Sequence, residues 1–142
     1  SMTPSPFSTL RRSALILACS TLLAGAAWAQ EKVIFQVSDA DPAKWNLTLN
    51  NIRNVQQDLG ADKVDVEVVA YGPGIGMLKL ESPVAQRVAD AVAKGVKVVA
   101  CENTLKALKM VRADMLGNIS YVPAGVVELM RKQQQGWAYI RP

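Results

Sequence analysis

The chain has 142 residues, of which half are apolar and 20% are charged, with 16 basic side chains, 12 acidic ones and no histidine. This composition fits one globular domain with a modest core and does not fit a disordered chain. The absence of histidine excludes Ser-His-Asp catalysis, Cys-His catalysis and histidine metal sites.

The first thirty residues have the pattern of a cleavable signal peptide. Arg11 and Arg12 give a positive start, residues 14–27 are apolar or small, and Ala27-Trp28-Ala29 matches a signal peptidase site. A helix of that apolar length spans about 21 Å, less than the roughly 30 Å hydrocarbon core of a bilayer. We therefore expect residues 1–29 to be removed, leaving a periplasmic protein with no stable membrane insertion.

Two other export signals fit the same segment less well. Arg11-Arg12 resembles a twin-arginine motif, but Ala14 stands where a bulky apolar residue is usual. Residues 16–19 resemble a lipoprotein site, but Leu17 fits it poorly. Ser1 precedes the initiator methionine, and we expect it to be a residue added by cloning.

Removal of the signal peptide changes the charge and the cysteine count. Residues 30–142 keep 14 basic side chains against 12 acidic ones, mixed along the chain, so no nucleic-acid-binding stripe is present. Cys19 leaves with the signal, so Cys101 is the single mature cysteine. That count excludes an intramolecular disulfide, a zinc ribbon and an iron–sulfur site. An unpaired thiol in an oxidising compartment is oxidised unless it is buried or used.

Apolar β-branched runs alternate with segments of helical period. Strands are predicted at residues 32–38, 64–70, 96–101, 119–122 and 137–140, and helices at 42–59, 83–94, 102–116 and 123–135. Five strands separated by four helices predict βαβ crossovers. The expected fold is a single flavodoxin-like, doubly wound α/β domain over residues 30–142, whose five-stranded, mostly parallel sheet carries helices on both faces.

The predicted topology places Cys101 where ligands bind in such folds, beyond the carboxyl ends of strands at the point where strand order reverses. For the order 2-1-3-4-5, the loops at Ser38-Asp39 and Cys101-Glu102-Asn103-Thr104 are expected to meet there. N–H groups at the start of a helix favour a thiolate. The apolar run before Cys101 fits equally well with a thiol buried as a small hydrophobe, so both interpretations stay open.

Two neighbouring loops are weaker candidates. Tyr71-Gly72-Pro73-Gly74 opens a glycine-rich loop whose N–H groups can cradle an anion, although a structural turn or a pocket rim fits its spacing better. Asp39 and Asp41 form a carboxylate pair, but Asp41 is expected to cap the helix that Pro42 opens.

Five segments carry a resemblance to a known family: Phe35-Gln36-Val37-Ser38, Tyr71-Gly72-Pro73-Gly74, and residues 100–105, 121–129 and 136–142. Over residues 32–142 the chain resembles the DsrE/DsrF-like family, α/β proteins associated with sulfur relay and intracellular sulfur oxidation. The resemblance implies a flavodoxin-like fold, assembly into trimers or hexamers, and a cysteine that accepts sulfur as a persulfide. The signal peptide is a departure, since the family's relay proteins are cytoplasmic.

The expected function is therefore a periplasmic sulfur carrier or sulfurtransferase that needs no metal or organic cofactor and that meets a sulfur donor or acceptor protein. Cys101 is the expected catalytic residue. The expected substrate-binding residues are Ser38, Asp39, Tyr71, Gly72, Gly74, Glu102, Asn103 and Thr104. Two alternatives remain: a non-catalytic oligomeric binding module with a structural cysteine, and a redox-sensing thiol protein that forms an intermolecular disulfide.

Overall fold

The computed structural model describes residues 1–5 and 30–142, so residues 6–29, which hold most of the expected signal peptide, lie outside the described residues. The strands are β1 (Glu31–Val37), β2 (Val64–Ala70), β3 (Lys97–Cys101), β4 (Ser120–Val122) and β5 (Ala138–Ile140). The α-helices are α1 (Pro42–Leu59), α2 (Ala85–Ala93), α3 (Glu102–Ala107) and α4 (Gly125–Gln134). Two 3₁₀ helices cover Gly72–Leu78 and Arg112–Asp114. No helix in the described part of the chain is both long and apolar enough to cross a membrane.

Helix α1 begins and ends where the sequence predicts. The Asp41 carboxylate accepts a hydrogen bond from the Ala43 N–H at 2.9 Å, and Pro42 occupies the first turn, where a missing N–H costs nothing. Gly60 ends the helix with a φ of +95°, a left-handed conformation that glycine adopts without strain. Trp45 is buried on the face that α1 turns to the sheet.

Helix α3 is shorter than predicted, because it ends at Ala107 instead of near residue 116. Lys109 has a φ of +54°, which a right-handed helix does not contain. The chain then turns back so that Met115 forms an antiparallel bridge with Lys79. This long-range pairing replaces the helix that the periodicity of the sequence predicts. Val111, which the periodicity placed on the buried face, is exposed.

The five strands form one sheet in the order β4-β3-β2-β1-β5, and every pair is parallel. The α/β class and the parallel sheet are confirmed, whereas the predicted order 2-1-3-4-5 was wrong. Strand β2 lies between β1 and β3, and it pairs with β1 over seven residues. Three crossovers in one direction place α1 to α3 on one face, and the return from β4 to β5 places α4 on the other.

The two faces of the sheet are covered unequally. The first face carries a large apolar cluster with α1, α2 and the first 3₁₀ helix. Among the described residues, α4 is the one helix that covers the second face, over a small cluster of Ile34, Val69, Val99, Val122 and Leu129. Parallel sheets normally bury both faces, so the single helix leaves part of the second face open.

Candidate functional site

Cys101 is the last residue of β3 and lies next to Val122 of β4 in the sheet. The helices that follow these two strands diverge. Leu105 of α3 packs on the first face of the sheet, and Leu129 of α4 packs on the second. Diverging helices after neighbouring parallel strands open a crevice at the carboxyl edge of the sheet. Cys101 therefore lies at the crevice between β3 and β4, and not at a crevice between β1 and β3.

One hydrogen bond reaches the Cys101 sulfur, and three further donor groups act on it from nearby. The Gly125 N–H at the start of α4 donates a hydrogen bond to Sγ at 3.3 Å. The Thr104 hydroxyl, the Thr104 N–H and the Asn103 N–H lower the pKa of the thiol from nearby, but the Cys101 side chain makes no capping hydrogen bond to the start of α3. Thr104 Oγ1 accepts a hydrogen bond from the Gly72 N–H at 2.9 Å, which orients its hydroxyl. These donors come from α3, from α4 and, through Thr104, from the loop after β2.

The arrangement favours a thiolate. Burial is the largest single influence on Cys101 and raises the pKa of the thiol, because the residue is only 5% exposed. The Thr104 hydroxyl and the backbone N–H groups together outweigh burial, so the pKa of Cys101 lies below its ordinary value. The Asn103 N–H lowers it least and also donates to the Pro123 carbonyl at 3.1 Å. The site can therefore hold a stabilised sulfur anion.

Gly125 is a site residue that the sequence analysis missed. A Cβ at this position would lie 3.1–3.3 Å from side-chain atoms of Tyr71, Val69 and Cys101, so a larger residue would have to displace these neighbours for the start of α4 to lie this close to the thiol. A signal was present, because Gly125 follows a predicted short strand and Pro123. Using it required the correct strand order, which makes β4 the neighbour of β3.

Five of the predicted binding residues lie around Cys101. Tyr71 follows the end of β2 and Gly72 begins the first 3₁₀ helix, and Glu102, Asn103 and Thr104 form the first turn of α3. Asn103 is exposed at the rim. The Glu102 carboxylate lies 2.6 Å from the Arg112 guanidinium, so its negative charge is already paired with a cation.

Ser38, Asp39 and Gly74 belong to another part of the structure. The Ser38 hydroxyl accepts a hydrogen bond from a β1 side chain at 3.0 Å, and Asp39 forms an ion pair at 3.5 Å with a lysine of α1. A Cβ on Gly74 would lie 2.2 Å from the Val37 carbonyl oxygen, so this glycine permits close packing against the end of β1. Strand β2 separates β1 from β3, and with it Ser38 from Cys101.

Comparisons of the chain with protein families and with solved structures agree with each other. The family model described as the DsrE/DsrF-like family matches residues 31–142. A protein of unknown function, MTH1491 from Methanobacterium thermoautotrophicum, has a similar structure with a TM-score of 0.76 and 38% identity, covering 79% of this chain and 99% of that one. No curated protein sequence matches the chain.

Two more distant structures share the fold. BT1422 from Bacteroides thetaiotaomicron, a conserved protein of unknown function, has a TM-score of 0.64 at 11% identity and covers 79% of this chain and 95% of its own. The ychN protein from E. coli has a TM-score of 0.61 at 12% identity and covers 80% and 99%. The family match spans the whole sheet with its helices, and it suggests a role in sulfur relay. The chain belongs to the DsrE/DsrF-like family.

Proposed function

We propose that the protein is a sulfur carrier that holds sulfur as a persulfide on Cys101. The observation that carries this proposal is the hydrogen bond from the Gly125 N–H to the Cys101 sulfur, beside the Thr104 and Asn103 groups that lower the pKa of the thiol. Thiolates, and not thiols, are the nucleophiles that attack sulfane sulfur, and donors that lower the pKa raise the thiolate fraction at neutral pH. Family membership supplies the sulfur-relay context.

The chemistry balances without an added oxidant. The Cys101 thiolate attacks the sulfane sulfur of a polysulfide or persulfide donor, a new S–S bond forms on Cys101, and the donor's S–S bond breaks with release of its thiolate. A thiolate on an acceptor protein then attacks the outer sulfur, and Cys101 leaves as a thiolate. The donors around Sγ stabilise the anion that is consumed first and restored last.

One observation favours a second candidate. Cys101 is 5% exposed, so a donor reaches the sulfur only when the cover formed by the start of α4 and the first turn of α3 moves. A thiol that stays covered would serve as a structural residue in a non-catalytic binding module. The two candidates differ in whether the folded protein reacts.

The proposal is tested by incubating the protein with polysulfide, desalting it, and reading the mass of the Cys101 peptide. We expect an adduct of one sulfur atom that dithiothreitol removes and that the Cys101→Ala variant lacks. An unmodified Cys101 in folded protein whose thiol reacts with iodoacetamide would contradict the sulfur carrier. A thiol that reacts only after denaturation would identify the structural cysteine, and a disulfide-linked dimer on non-reducing gels would identify the redox sensor.

A periplasmic location is part of the proposal and is supported by the sequence pattern of residues 1–29. We expect the protein expressed in a Gram-negative host to be recovered from the periplasmic fraction with Gln30 as its first residue. Recovery in the cytoplasm with an intact N-terminus would contradict export.

We also propose that the protein is a homo-oligomer. An open groove of about 610 Å³ lies on the second face of the sheet, beside α4 and β5. Its apolar part includes Val126, Val127 and Met130, which are exposed, and its polar part consists of glutamine and tyrosine side chains. None of the lining side chains carries a charge. An uncharged apolar surface can face its own copy without like-charge repulsion, so a second copy is the occupant that fits it.

Met130→Glu is expected to lower the molar mass of the protein in solution, because it places a charge on each side of an isologous contact. The measurement is light scattering after size exclusion. Val111→Glu is the matched control, since Val111 is equally exposed but does not line the groove. A monomeric wild-type protein, or a Met130→Glu variant with the wild-type mass, would contradict the contact.

A further inference from the structure

A buried carboxylate lies in β2, the strand next to β3, opposite Lys97 and four residues before the level of Cys101. Glu67, in the middle of β2, is 0% exposed, and neither of its carboxylate oxygens accepts a hydrogen bond from the described residues. The Lys97 Nζ lies 3.4 Å from Oε1, close enough for an ion pair but without hydrogen-bond geometry. A charge in this position is costly, because burial removes water and no donor replaces it.

A second carboxyl group faces Glu67 from α4. Glu128 lies near enough to raise the pKa of Glu67, although no hydrogen bond joins the two carboxyl groups, and the Lys132 Nζ lies 4.0 Å from Glu128 Oε1. Ionising Glu67 beside a second carboxyl group in a site without water is costly, so Glu67 keeps its proton to a higher pH. Burial first, and Glu128 second, raise the pKa of Glu67 to about 7, against the opposing effect of Lys132 and Lys97.

The other surroundings of Glu67 bring no further charge to the pair. Ile34 of β1 lies beside Glu67 in the sheet and does not titrate. The next charged residues on this face, Asp65 and Lys32, are exposed and lie two residues away along β2 and β1. Lys97 from β3, together with Glu128 and Lys132 from α4, therefore completes the set of charged groups that face Glu67.

Helix α4 connects the carboxyl pair to the thiol. Gly125, whose N–H donates to the Cys101 sulfur, is one turn before Glu128 on the same helix. Because α4 is the helix that covers this face in the described part of the chain, a force on Glu128 acts on the cover of Cys101. Movement of α4 therefore affects both the carboxyl pair and the cover of the thiol.

We propose that the Glu67–Glu128 pair is a proton-controlled latch on α4. While Glu67 keeps its proton, the pair holds α4 on the sheet and keeps Cys101 covered. When that proton passes to solvent, the two carboxylates repel each other, the start of α4 moves away, and the thiol becomes accessible. The latch deepens the proposed sulfur carrier and rests on it for its purpose, but it acts on accessibility and is measurable without sulfur.

The test is the rate of iodoacetamide alkylation of Cys101, read on its peptide by mass spectrometry and divided by the thiolate fraction from ultraviolet absorbance. In the wild-type protein we expect this corrected rate to rise about tenfold between roughly pH 5.5 and pH 8.5. A tenfold change corresponds to a coupling of one pKa unit between loss of the Glu67 proton and exposure of the thiol. In Glu67→Gln the amide keeps a donor toward Glu128 at every pH, so the corrected rate stays low. Glu128→Gln removes the second carboxylate, and with it the repulsion, so its corrected rate is also expected to stay low.

Asp65→Asn is the matched control, because Asp65 is a carboxylate on the same strand and the same face but is exposed; it should keep the wild-type rise. A corrected rate that is flat in the wild-type protein, or that still rises in both Gln variants, would overturn the latch. If Glu67→Gln does not fold, Glu128→Gln decides the question. Normal latch behaviour in a protein that takes up no sulfur would reject the carrier function alone.

Discussion

Thr104→Val is expected to make Cys101 a much weaker nucleophile at neutral pH. The Thr104 hydroxyl is the strongest of the groups that lower the pKa of the Cys101 thiol, and valine keeps the shape of threonine without that donor. A hydrogen bond to a charged group contributes about 1.5–3 kcal/mol, so alkylation of Cys101 at neutral pH should slow by roughly tenfold or more. The burial that remains acts in the same direction, because it raises the pKa.

The measurement is the pH at which the thiolate absorbance of Cys101 appears, combined with the alkylation rate across the same pH range. The thiolate curve of Thr104→Val should move to higher pH, whereas Thr104→Ser, which keeps the hydroxyl, should follow the wild-type curve. A valine variant that loses thermal stability but keeps the wild-type thiolate curve would show that Thr104 only holds the Gly72 loop in place.

Local signals were sufficient for much of the fold. Strand β2 occupies residues 64–70 as predicted, because its β-branched run has no competing helical pattern. Helix α1 is bounded by Asp41-Pro42 and Gly60, whose capping and stop chemistry acts within a few residues. Such features depend on near neighbours in the sequence, and the sequence displays them directly.

Long-range pairings were not predictable in the same way. The order of the strands depends on which sheet edge each new strand joins, and a right-handed crossover permits either edge. The end of α3 depends on the bridge between Met115 and Lys79, which are 36 positions apart. Periodicity continued the helix because no local stop signal opposed it.

The residues of the candidate site also fall into those predictable from near neighbours in the sequence and those that depend on long-range packing. Cys101 and Thr104 are near neighbours in the sequence, and a single loop prediction placed both. Glu67 and Gly125 come from β2 and α4, and only the strand order and the packing of α4 bring them to the second face of the sheet. The sequence does indicate that the strand around Glu67 is buried, because residues 66–70 lose polar alternation, as expected for a strand covered on both faces.

The free energy of unfolding is expected to fall as the pH rises from about 4.5 to about 7, because of Glu67. In this window the carboxyl group keeps its proton in the folded protein, where its pKa is raised from 4.5 to about 7, but loses it in the unfolded chain. The folded state then binds more protons than the unfolded state, so raising the pH favours unfolding. The loss approaches about 3 kcal/mol and levels off above the folded-state pKa.

Urea unfolding of the wild-type protein and of Glu67→Gln at about pH 5 and pH 8 measures this loss. Since other carboxylates titrate in both proteins, the informative quantity is the difference between their two pH dependences. The Gln variant should lose less stability toward alkaline pH than the wild-type protein, and Asp65→Asn, an exposed carboxylate variant on the same strand, should lose as much as the wild type. Equal losses in the wild-type and Glu67→Gln proteins would mean that Glu67 is ionised in the fold throughout this range. The carboxyl pair would then hold no proton between β2 and α4, and the start of α4 would cover Cys101 equally at every pH.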